Sequence, residues 1–245
     1  MRLGLDCIYG GLREILMGMK SNRMFREVTD TWNPITGCFH GCSYCWAKRY
    51  AERLSKMNVE PYATKSFQPT LVEDRLRRRF SRNCFVFVSD MGDLFGEWVP
   101  RQWIEKVLDT IRMWPHTYFL LLTKNPKRYL SFNLPRNVVA GATIESNRDY
   151  PSLSKAPLQS ERIDAMRRLM HEHKAVVVEP ILEFDLEEFT EAIREVSPSF
   201  VYIGYDNYGY RLPEPRLGKT LEFISRLRGF TDVKVKTIRK AWYEE

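Results

Sequence analysis

Short runs of apolar, β-branched and aromatic residues alternate with longer stretches of helical periodicity along this chain. The strand-like runs lie at residues 25–31, 84–89, 117–123, 137–143, 175–178, 200–204 and 233–237. Because consecutive parallel strands need a long crossover, usually an α-helix, this alternation predicts a parallel sheet with right-handed connections. A partial β/α barrel and an open doubly wound sheet both satisfy the pattern, although the first strand lacks the G-x-G-x-x-G turn of many doubly wound folds.

Three cysteines lie close together in the loop after the first predicted strand. Cys38, Cys42 and Cys45 are spaced C-x3-C-x2-C. Three thiolates can hold three irons of a cubane iron–sulfur cluster, which leaves the fourth iron open to bind and activate a small molecule. Helical periodicity follows at residues 42–57, so the last two thiols are expected near a helix start, where the helix dipole favours thiolate and an anionic cluster.

A zinc site is the main alternative to a cluster. It would use the same thiols with His40 as a fourth ligand. Against it, His40 lies between two of the thiols, and the sequence has no second ligand pair further along. The spacing also differs from the C-x2-C-x2-C-x3-C run of bacterial ferredoxins. Structural disulfides are not expected, since the chain has five cysteines, an odd number, and no secretory signal is expected.

Composition narrows the class of protein. The chain has 245 residues, of which 44% are hydrophobic and 28% charged, as in ordinary globular domains. The longest apolar runs, such as residues 118–122, are too short to cross a bilayer. The net charge of +7 favours polyanionic partners. Low cysteine use predicts a cytoplasmic protein, because an oxygen-sensitive cluster survives in a reducing compartment.

The cysteine spacing, with Tyr44 directly before the third cysteine, resembles the signature of the radical SAM superfamily. In that superfamily the free iron binds the amino and carboxylate groups of S-adenosylmethionine (SAM), and reduction yields methionine and a 5′-deoxyadenosyl radical. The resemblance implies a [4Fe–4S] cluster and SAM as cofactors, and an external electron donor such as ferredoxin or flavodoxin. It also implies the fold class: α/β, a partial (β/α)6 TIM-like barrel of parallel strands with outer helices.

Four segments resemble an uncharacterised, phage-associated radical SAM family: residues 31–38, 88–95, 122–126 and 178–182. More distantly, the order of cysteine loop, Ser89–Asp90 and Lys124 is similar to the spore photoproduct lyase group, which repairs a thymine dimer in DNA. The chain departs from the phage-associated pattern at residues 204–210, which lack a Gly-Gly-Glu-type turn. Cys84 begins the second strand, far from the expected active face, so repair through a protein thiol is not expected.

In a β/α barrel the chemistry is built from residues that follow the carboxyl ends of the strands. SAM offers an ammonium, a carboxylate, ribose hydroxyls and an adenine ring to such residues. The expected partners are Ser89 and Asp90 for the ammonium, Lys124 for the carboxylate, Thr143 and Glu145 for the ribose, and the backbones of Val178 and Gly204 for the adenine. With Tyr44, these residues form the expected cofactor-binding set. In the spore photoproduct lyase group, the equivalents of Ser89, Asp90 and Lys124 contact SAM.

Aromatic and basic residues near the same face favour a nucleic acid or nucleotide substrate, because they can stack bases and hold phosphates. They are Tyr205, Tyr208, Tyr210, Trp242, Tyr243, Lys124, Lys127, Arg128, Arg211 and Arg216. The function predicted is therefore a radical SAM enzyme of unknown substrate. The alternative is a non-catalytic zinc or iron–sulfur binding protein that interacts with nucleic acid.

Two regions are predicted along the chain. Residues 25–245 are expected to form the radical SAM partial barrel domain. Residues 1–24 are expected to be an N-terminal extension, in which Leu12, Ile15, Leu16 and Met19 have the spacing of a short amphipathic helix.

Overall fold

Seven parallel strands form the main sheet of the computed structural model, which describes residues 25–245. The predicted N-terminal helix and Cys7 lie outside the described residues. The described residues contain nine strands, two of them outside the main sheet: β1 (Asp30–Trp32), β2 (Ile35–Thr36), β3 (Thr70–Leu71), β4 (Phe85–Val88), β5 (Tyr118–Thr123), β6 (Val138–Thr143), β7 (Lys174–Val178), β8 (Phe200–Ile203) and β9 (Asp232–Val235). The short strands β2 and β3 form a separate antiparallel pair.

Helices connect most of the parallel strands. They are α1 (Trp46–Lys56), α2 (Tyr62–Lys65), α3 (Arg101–Arg112), α4 (Gln159–Arg168), α5 (Leu186–Val196) and α6 (Leu217–Leu227), with two short 3-10 helices at Glu73–Arg77 and Pro126–Ser131. Helix α5 is typical: Phe189, Ile193 and Val196 recur at helical spacing and are buried against the sheet. Its opposite face carries the charged residues.

The main sheet has the order β1-β4-β5-β6-β7-β8-β9, and every neighbouring pair is parallel. Because each strand lies beside the next one along the chain, the connections keep adding strands in one direction, as in a barrel. Within residues 25–245 the edge strands β1 and β9 do not pair, so the barrel is open. The predicted α/β partial barrel is thus confirmed, with seven strands rather than six.

Alternating side chains divide the core into two layers. In β4, Val86 and Val88 belong to the outer layer between sheet and helices, whereas Phe85 and Phe87 belong to the inner layer. This period of two, apolar on both faces, is typical of parallel strands that are covered on both sides. Strand β1 is shorter than predicted, because residues 25–29 precede it as a turn and irregular backbone.

Residues that precede β1 add to the inner layer of the core. Phe25 and Val28, although outside the strands, are buried with Phe87 in the inner layer. These three residues and Leu122 also form the apolar floor of a cavity at the carboxyl ends of the strands. In residues 25–245, no helix combines the length and apolarity that crossing a bilayer requires.

Candidate active site

An open cavity of about 770 Å³ lies at the carboxyl ends of the parallel strands. Its volume is in the range of sites that hold cofactors and drug-sized ligands. Eight of the residues predicted from the sequence line it: Cys38, Cys42, Tyr44, Cys45, Ser89, Asp90, Lys124 and Thr143. The other three predicted residues, Glu145, Val178 and Gly204, are not part of the lining. The fold therefore brings most of the predicted set to one place.

The cysteine loop is held by backbone hydrogen bonds to three separate segments. The Gly37 amide donates to the Met91 carbonyl at 2.9 Å, and the Cys38 amide donates to the Phe67 carbonyl at 3.1 Å. Further along, the Lys155 amide donates to the His40 carbonyl at 2.7 Å. The loop is therefore anchored to the surrounding fold at three points.

Gly37 cannot be replaced without disturbing this loop. Its φ is +83°, and an added Cβ would lie 2.3 Å from the backbone carbon and oxygen of Gln68. We expect Gly37→Ala to lower the free energy of unfolding by about 3 kcal/mol or more, since it combines backbone strain with a clash against backbone atoms. Iron bound per chain after reconstitution should also fall.

Gly218 provides the matched control for this prediction. It lies in the first turn of α6, and an added Cβ would meet nothing within 4 Å. Gly218→Ala should leave iron binding unchanged and stabilise the helix by up to about 1 kcal/mol. Equal stability of the Gly37 and Gly218 variants in urea unfolding would contradict the account of the loop.

The three thiols have different surroundings. Cys45 is the N-cap of α1, and its sulfur accepts the Lys48 amide at 3.3 Å, which confirms the predicted helix start at this thiol. The Cys38 sulfur accepts the His40 amide at 3.4 Å, and the Cys42 sulfur lies 3.1 Å from the Ser154 hydroxyl oxygen. Burial raises the pKa of the Cys38 and Cys45 thiols. Ionised thiolates at these positions therefore call for a positive partner, such as iron.

The side chain of His40 anchors the cysteine loop through its contact with Asp93. Its Nε2 lies 2.8 Å from Asp93 Oδ2, and both side chains are buried. Burial by itself would raise the pKa of Asp93, but hydrogen bonds from His40, from the Thr123 hydroxyl and from the Lys124 amide hold it below its ordinary value. His40 therefore already has an anionic partner on one ring nitrogen.

The arrangement does not resemble a site for a single metal ion. Across residues 25–245, no group of three or more histidine, cysteine, aspartate or glutamate side chains converges on one ion position. Tetrahedral zinc needs all of its ligands about 2.0–2.3 Å from the same point. In a cubane each thiolate binds a different iron, so the thiols need not converge. Three thiols in one loop are the donors that a cubane with one open iron requires.

Ser89 presents a hydroxyl that the protein itself does not satisfy. Its side chain is buried, its φ is +57°, and within residues 25–245 its Oγ has no hydrogen-bond partner. The neighbouring Asp90 accepts a hydrogen bond from Asn33 Nδ2 at 2.5 Å. Because an unmet buried polar group costs about 1–3 kcal/mol, a polar ligand that reaches Ser89 in the cavity gains from pairing with it.

Glu145 is the centre of a buried charge network below the cavity. Its Oε1 accepts hydrogen bonds from Lys124 and from the Tyr44 hydroxyl, the latter at 2.6 Å, and its Oε2 accepts from Gln159 at 2.6 Å and Arg162 at 2.7 Å. Burial would raise the pKa of Glu145, but the two cations hold it well below its ordinary value. Two cations around one carboxylate leave a net positive charge beside the cysteine loop.

The backbones of Val178 and Gly204, which are predicted to contact adenine, take part in hydrogen bonds of the sheet. The Gly204 amide donates to the Val178 carbonyl at 3.1 Å, and the Gly204 carbonyl accepts the Ile181 amide at 2.8 Å. The Val178 side chain belongs to the outer core layer. Contact of these two residues with adenine stays a prediction.

Glu179 and Lys236 form a charged pair in the cavity lining; sequence reasoning gave no role to Glu179 and missed Lys236. Glu179 follows β7 directly. This position after a strand end is the sequence signal that indicates a place in the cavity, but no role was assigned to Glu179. Lys236 was overlooked because the predicted last strand ran through residue 237, whereas β9 ends at Val235. A lysine inside a strand gives no sign of facing a cavity.

The predicted aromatic and basic surface is only partly present. Tyr208 is exposed and lines the cavity, with the Arg49 guanidinium 5.1 Å from its ring centre. Tyr205 also lines the cavity but is buried, and its hydroxyl is bonded to Thr220 and to the Pro215 carbonyl. Arg128 donates to the Gly96 and Val99 carbonyls and so serves the fold. Trp242 packs against Tyr243 and Arg211, away from the cavity lining.

Cys84 lies where the sequence placed it, directly before β4 and away from the cavity lining. It packs against the outer core layer.

Comparison with solved structures identifies the class of fold. Spore photoproduct lyase with bound AdoMet and dinucleoside spore photoproduct gives a TM-score of 0.53 at 12% identity, over 82% of this chain and 61% of that chain. A second structure of spore photoproduct lyase, of another mutant, gives a TM-score of 0.50 at 11% identity, over 88% of this chain and 64% of that chain. SuiB of Streptococcus suis, bound to the precursor peptide SuiA, gives a TM-score of 0.49 at 9% identity, over 85% of this chain and 49% of that chain. This chain spans about three fifths of the lyase chains, and its α/β fold is similar to that of spore photoproduct lyase.

The chain belongs to the DUF5131 family, described as a protein of unknown function, whose model matches residues 24–194. Comparison with curated proteins gives no match. Resemblance to a phage-associated family stays a prediction.

Proposed function

We propose that this protein is a radical SAM enzyme whose [4Fe–4S] cluster is held by Cys38, Cys42 and Cys45. One observation carries the proposal: the three thiols share a single cavity with the Ser89 hydroxyl, which has no partner within residues 25–245, and with the charged groups of Asp90 and Lys124. When bound, the cluster supplies the electron that splits SAM into methionine and a 5′-deoxyadenosyl radical, which abstracts hydrogen from a substrate.

The surrounding residues bind and orient SAM in this proposal. Ser89 and Asp90 accept hydrogen bonds from its ammonium, and Lys124 pairs with its carboxylate. Thr143 is in reach of the ribose because it lines the same cavity. Glu145 takes a different role from the predicted ribose contact: it positions Lys124 and Tyr44 from below, since both of its oxygens are already bonded. The surplus positive charge of its network favours an anionic cluster and the SAM carboxylate.

The apolar floor of the cavity protects a reactive intermediate. Phe25, Val28, Phe87 and Leu122 line it beneath the polar groups. These side chains offer no hydrogen-bonding atoms, so they exclude water from that side of the site.

The proposal includes a nucleic acid or nucleotide substrate and an external reductant such as ferredoxin or flavodoxin, in the cytoplasm. The net charge of +7 and the exposed Tyr208 beside Arg49 support this substrate class. The similar fold of spore photoproduct lyase, whose structure contains a dinucleoside, is in keeping with it.

The test is an anaerobic assay of the whole chain. The protein is reconstituted with iron and sulfide, mixed with SAM and dithionite, and assayed for 5′-deoxyadenosine by chromatography. We expect product, and we expect Lys124→Met to weaken SAM binding by about tenfold or more because a charge-assisted contact is lost. The exposed Lys127 gives the matched control, since Lys127→Met removes a nearby lysine outside the cavity lining.

Two results would overturn the proposal. A complete [4Fe–4S] spectrum without SAM binding or product would indicate an iron–sulfur binding protein. Stoichiometric zinc that resists replacement by iron would indicate a zinc protein.

A further inference from the structure

The cavity has a second polar region besides the one around the cysteines. Glu179 follows β7 and Lys236 follows β9, so both belong to the half of the sheet remote from β1 in strand order. Tyr208, in the loop after β8, lines the cavity with them. None of these three residues is needed to hold a cluster or SAM in the proposed function.

Glu179 and Lys236 form a well-buried ion pair. The side chains are 10% and 17% exposed, and the ammonium also lies 4.7 Å from the ring centre of Phe25. Burial raises the pKa of Glu179 even though Lys236 opposes the shift. A buried pair is often no more stabilising than apolar residues of the same size. A role in binding a ligand therefore explains the position of this pair at a cavity wall better than a contribution to stability does.

Gly204 provides the space for this pair. A Cβ at position 204 would lie 3.1 Å from Glu179 Oε1 and 3.1 Å from the Lys236 Cβ. Both distances are tighter than ordinary van der Waals contact, so a larger residue would displace the carboxylate or the lysine. The absence of a side chain at residue 204 thus serves the ion pair.

The backbone around Tyr208 is fixed by hydrogen bonds to Asp206. Asp206 Oδ1 accepts the Tyr208 amide at 3.0 Å, and Asp206 Oδ2 accepts the Tyr210 amide at 2.6 Å. Asp206 is itself buried. Tyr208 remains 53% exposed, so a flat ligand can reach it at little cost in protein ordering.

We propose that Glu179, Lys236 and Tyr208 form the substrate subsite and that it binds a nucleobase. The inference rests on the proposed function and specifies which part of the substrate is recognised. A base packs its flat face on Tyr208 and turns its edge, where donors and acceptors stand side by side, toward the carboxylate and the ammonium. A phosphate fits the subsite poorly, because the Glu179 carboxylate would repel it.

The test measures binding of nucleoside monophosphates by equilibrium dialysis to the reconstituted protein. AMP, GMP, CMP and UMP are the probes, ribose 5-phosphate is the control without a base, and a short single-stranded oligonucleotide distinguishes free nucleotides from nucleic acid. Glu179→Gln combined with Lys236→Met removes both charges, so no unpaired buried charge threatens folding. We expect this double variant and Tyr208→Ala to bind about tenfold more weakly, and Tyr208→Phe to bind normally.

The chain contains a matched control pair. Lys219 is paired with Glu183 and lies 4.8 Å from the Phe184 ring centre, outside the cavity lining. Glu183→Gln combined with Lys219→Met should leave nucleotide binding within about twofold of the wild type, because no cavity group is changed.

Failure of this inference can be told apart from failure of the proposed function. If the wild type binds none of the nucleotides or the oligonucleotide, or binds ribose 5-phosphate equally well, the subsite is wrong. It is also wrong if the double variant binds as the wild type does. Formation of 5′-deoxyadenosine in the same samples would leave the radical SAM proposal standing in each of these cases.

Discussion

Cys42→Ala is expected to abolish 5′-deoxyadenosine formation and to leave less iron bound per chain. A three-thiol loop has no spare ligand, and within residues 25–245 the only other cysteine, Cys84, lies directly before β4 and away from the cavity. The loss should exceed about a thousandfold, since the electron transfer step requires the cluster. Iron analysis, the visible spectrum and the chromatographic assay of the product measure the effect.

Cys84→Ala is the matched control for Cys42→Ala. Cys84 is half-buried against the outer core layer, so the substitution removes a small side chain at a distance from the cavity. It should leave iron content and product formation unchanged. A Cys42 variant that still forms product at the wild-type rate would show that the C-x3-C-x2-C loop is not the cluster site.

Glu145→Ala is expected to lower the free energy of unfolding by roughly 3–5 kcal/mol, the usual cost of removing one partner from a buried ionic network. The variant leaves Lys124 and Arg162 without their anion, and both lie close to a side chain that has no solvent exposure. Tyr44 and Gln159 lose their acceptor as well. Urea unfolding followed by circular dichroism measures the change.

The control removes a carboxylate from an exposed ion pair. Glu222 pairs with Arg226 on the surface of α6, with side chains 54% and 37% exposed. Glu222→Ala should change stability little, because water replaces the lost partner. If both glutamate variants unfold at the same urea concentration, the network around Glu145 does not stabilise the fold as described.

The Glu145 effect should also depend on pH in a defined direction. Its pKa in the folded protein is well below the ordinary value of 4.5, so its contribution to stability is complete above that value. As pH falls from about 4.5 toward the folded pKa, the unfolded chain takes up the proton first and this contribution is lost. The stability difference between wild type and Glu145→Ala should therefore shrink between about pH 5 and about pH 3. A constant difference across that range would contradict the assigned pKa.

The predictions that succeeded from sequence rest on local patterns. The alternation of strand and helix periodicity was enough for a parallel α/β sheet, because each pattern spans a single element. The cysteine spacing and Ser89, Asp90 and Lys124 at strand ends were enough to place a polar cavity, because the carboxyl ends of parallel strands meet at one edge. These conclusions need only neighbours along the chain and the direction of the strands.

Only the tertiary structure decided what each polar side chain contacts. Tyr44 and Glu145 bond although they are 101 positions apart in sequence, so nothing near either residue indicates that the carboxylate lies below the cavity rather than in it. Glu179 and Lys236 likewise meet only because β7 and β9 lie on either side of β8, and the missing side chain of Gly204 makes room for them. Sequence periodicity specifies which face of an element is buried. Which partner a buried charge finds there depends on the packing of distant elements, because burial leaves a charge stable only where another segment supplies its counterpart.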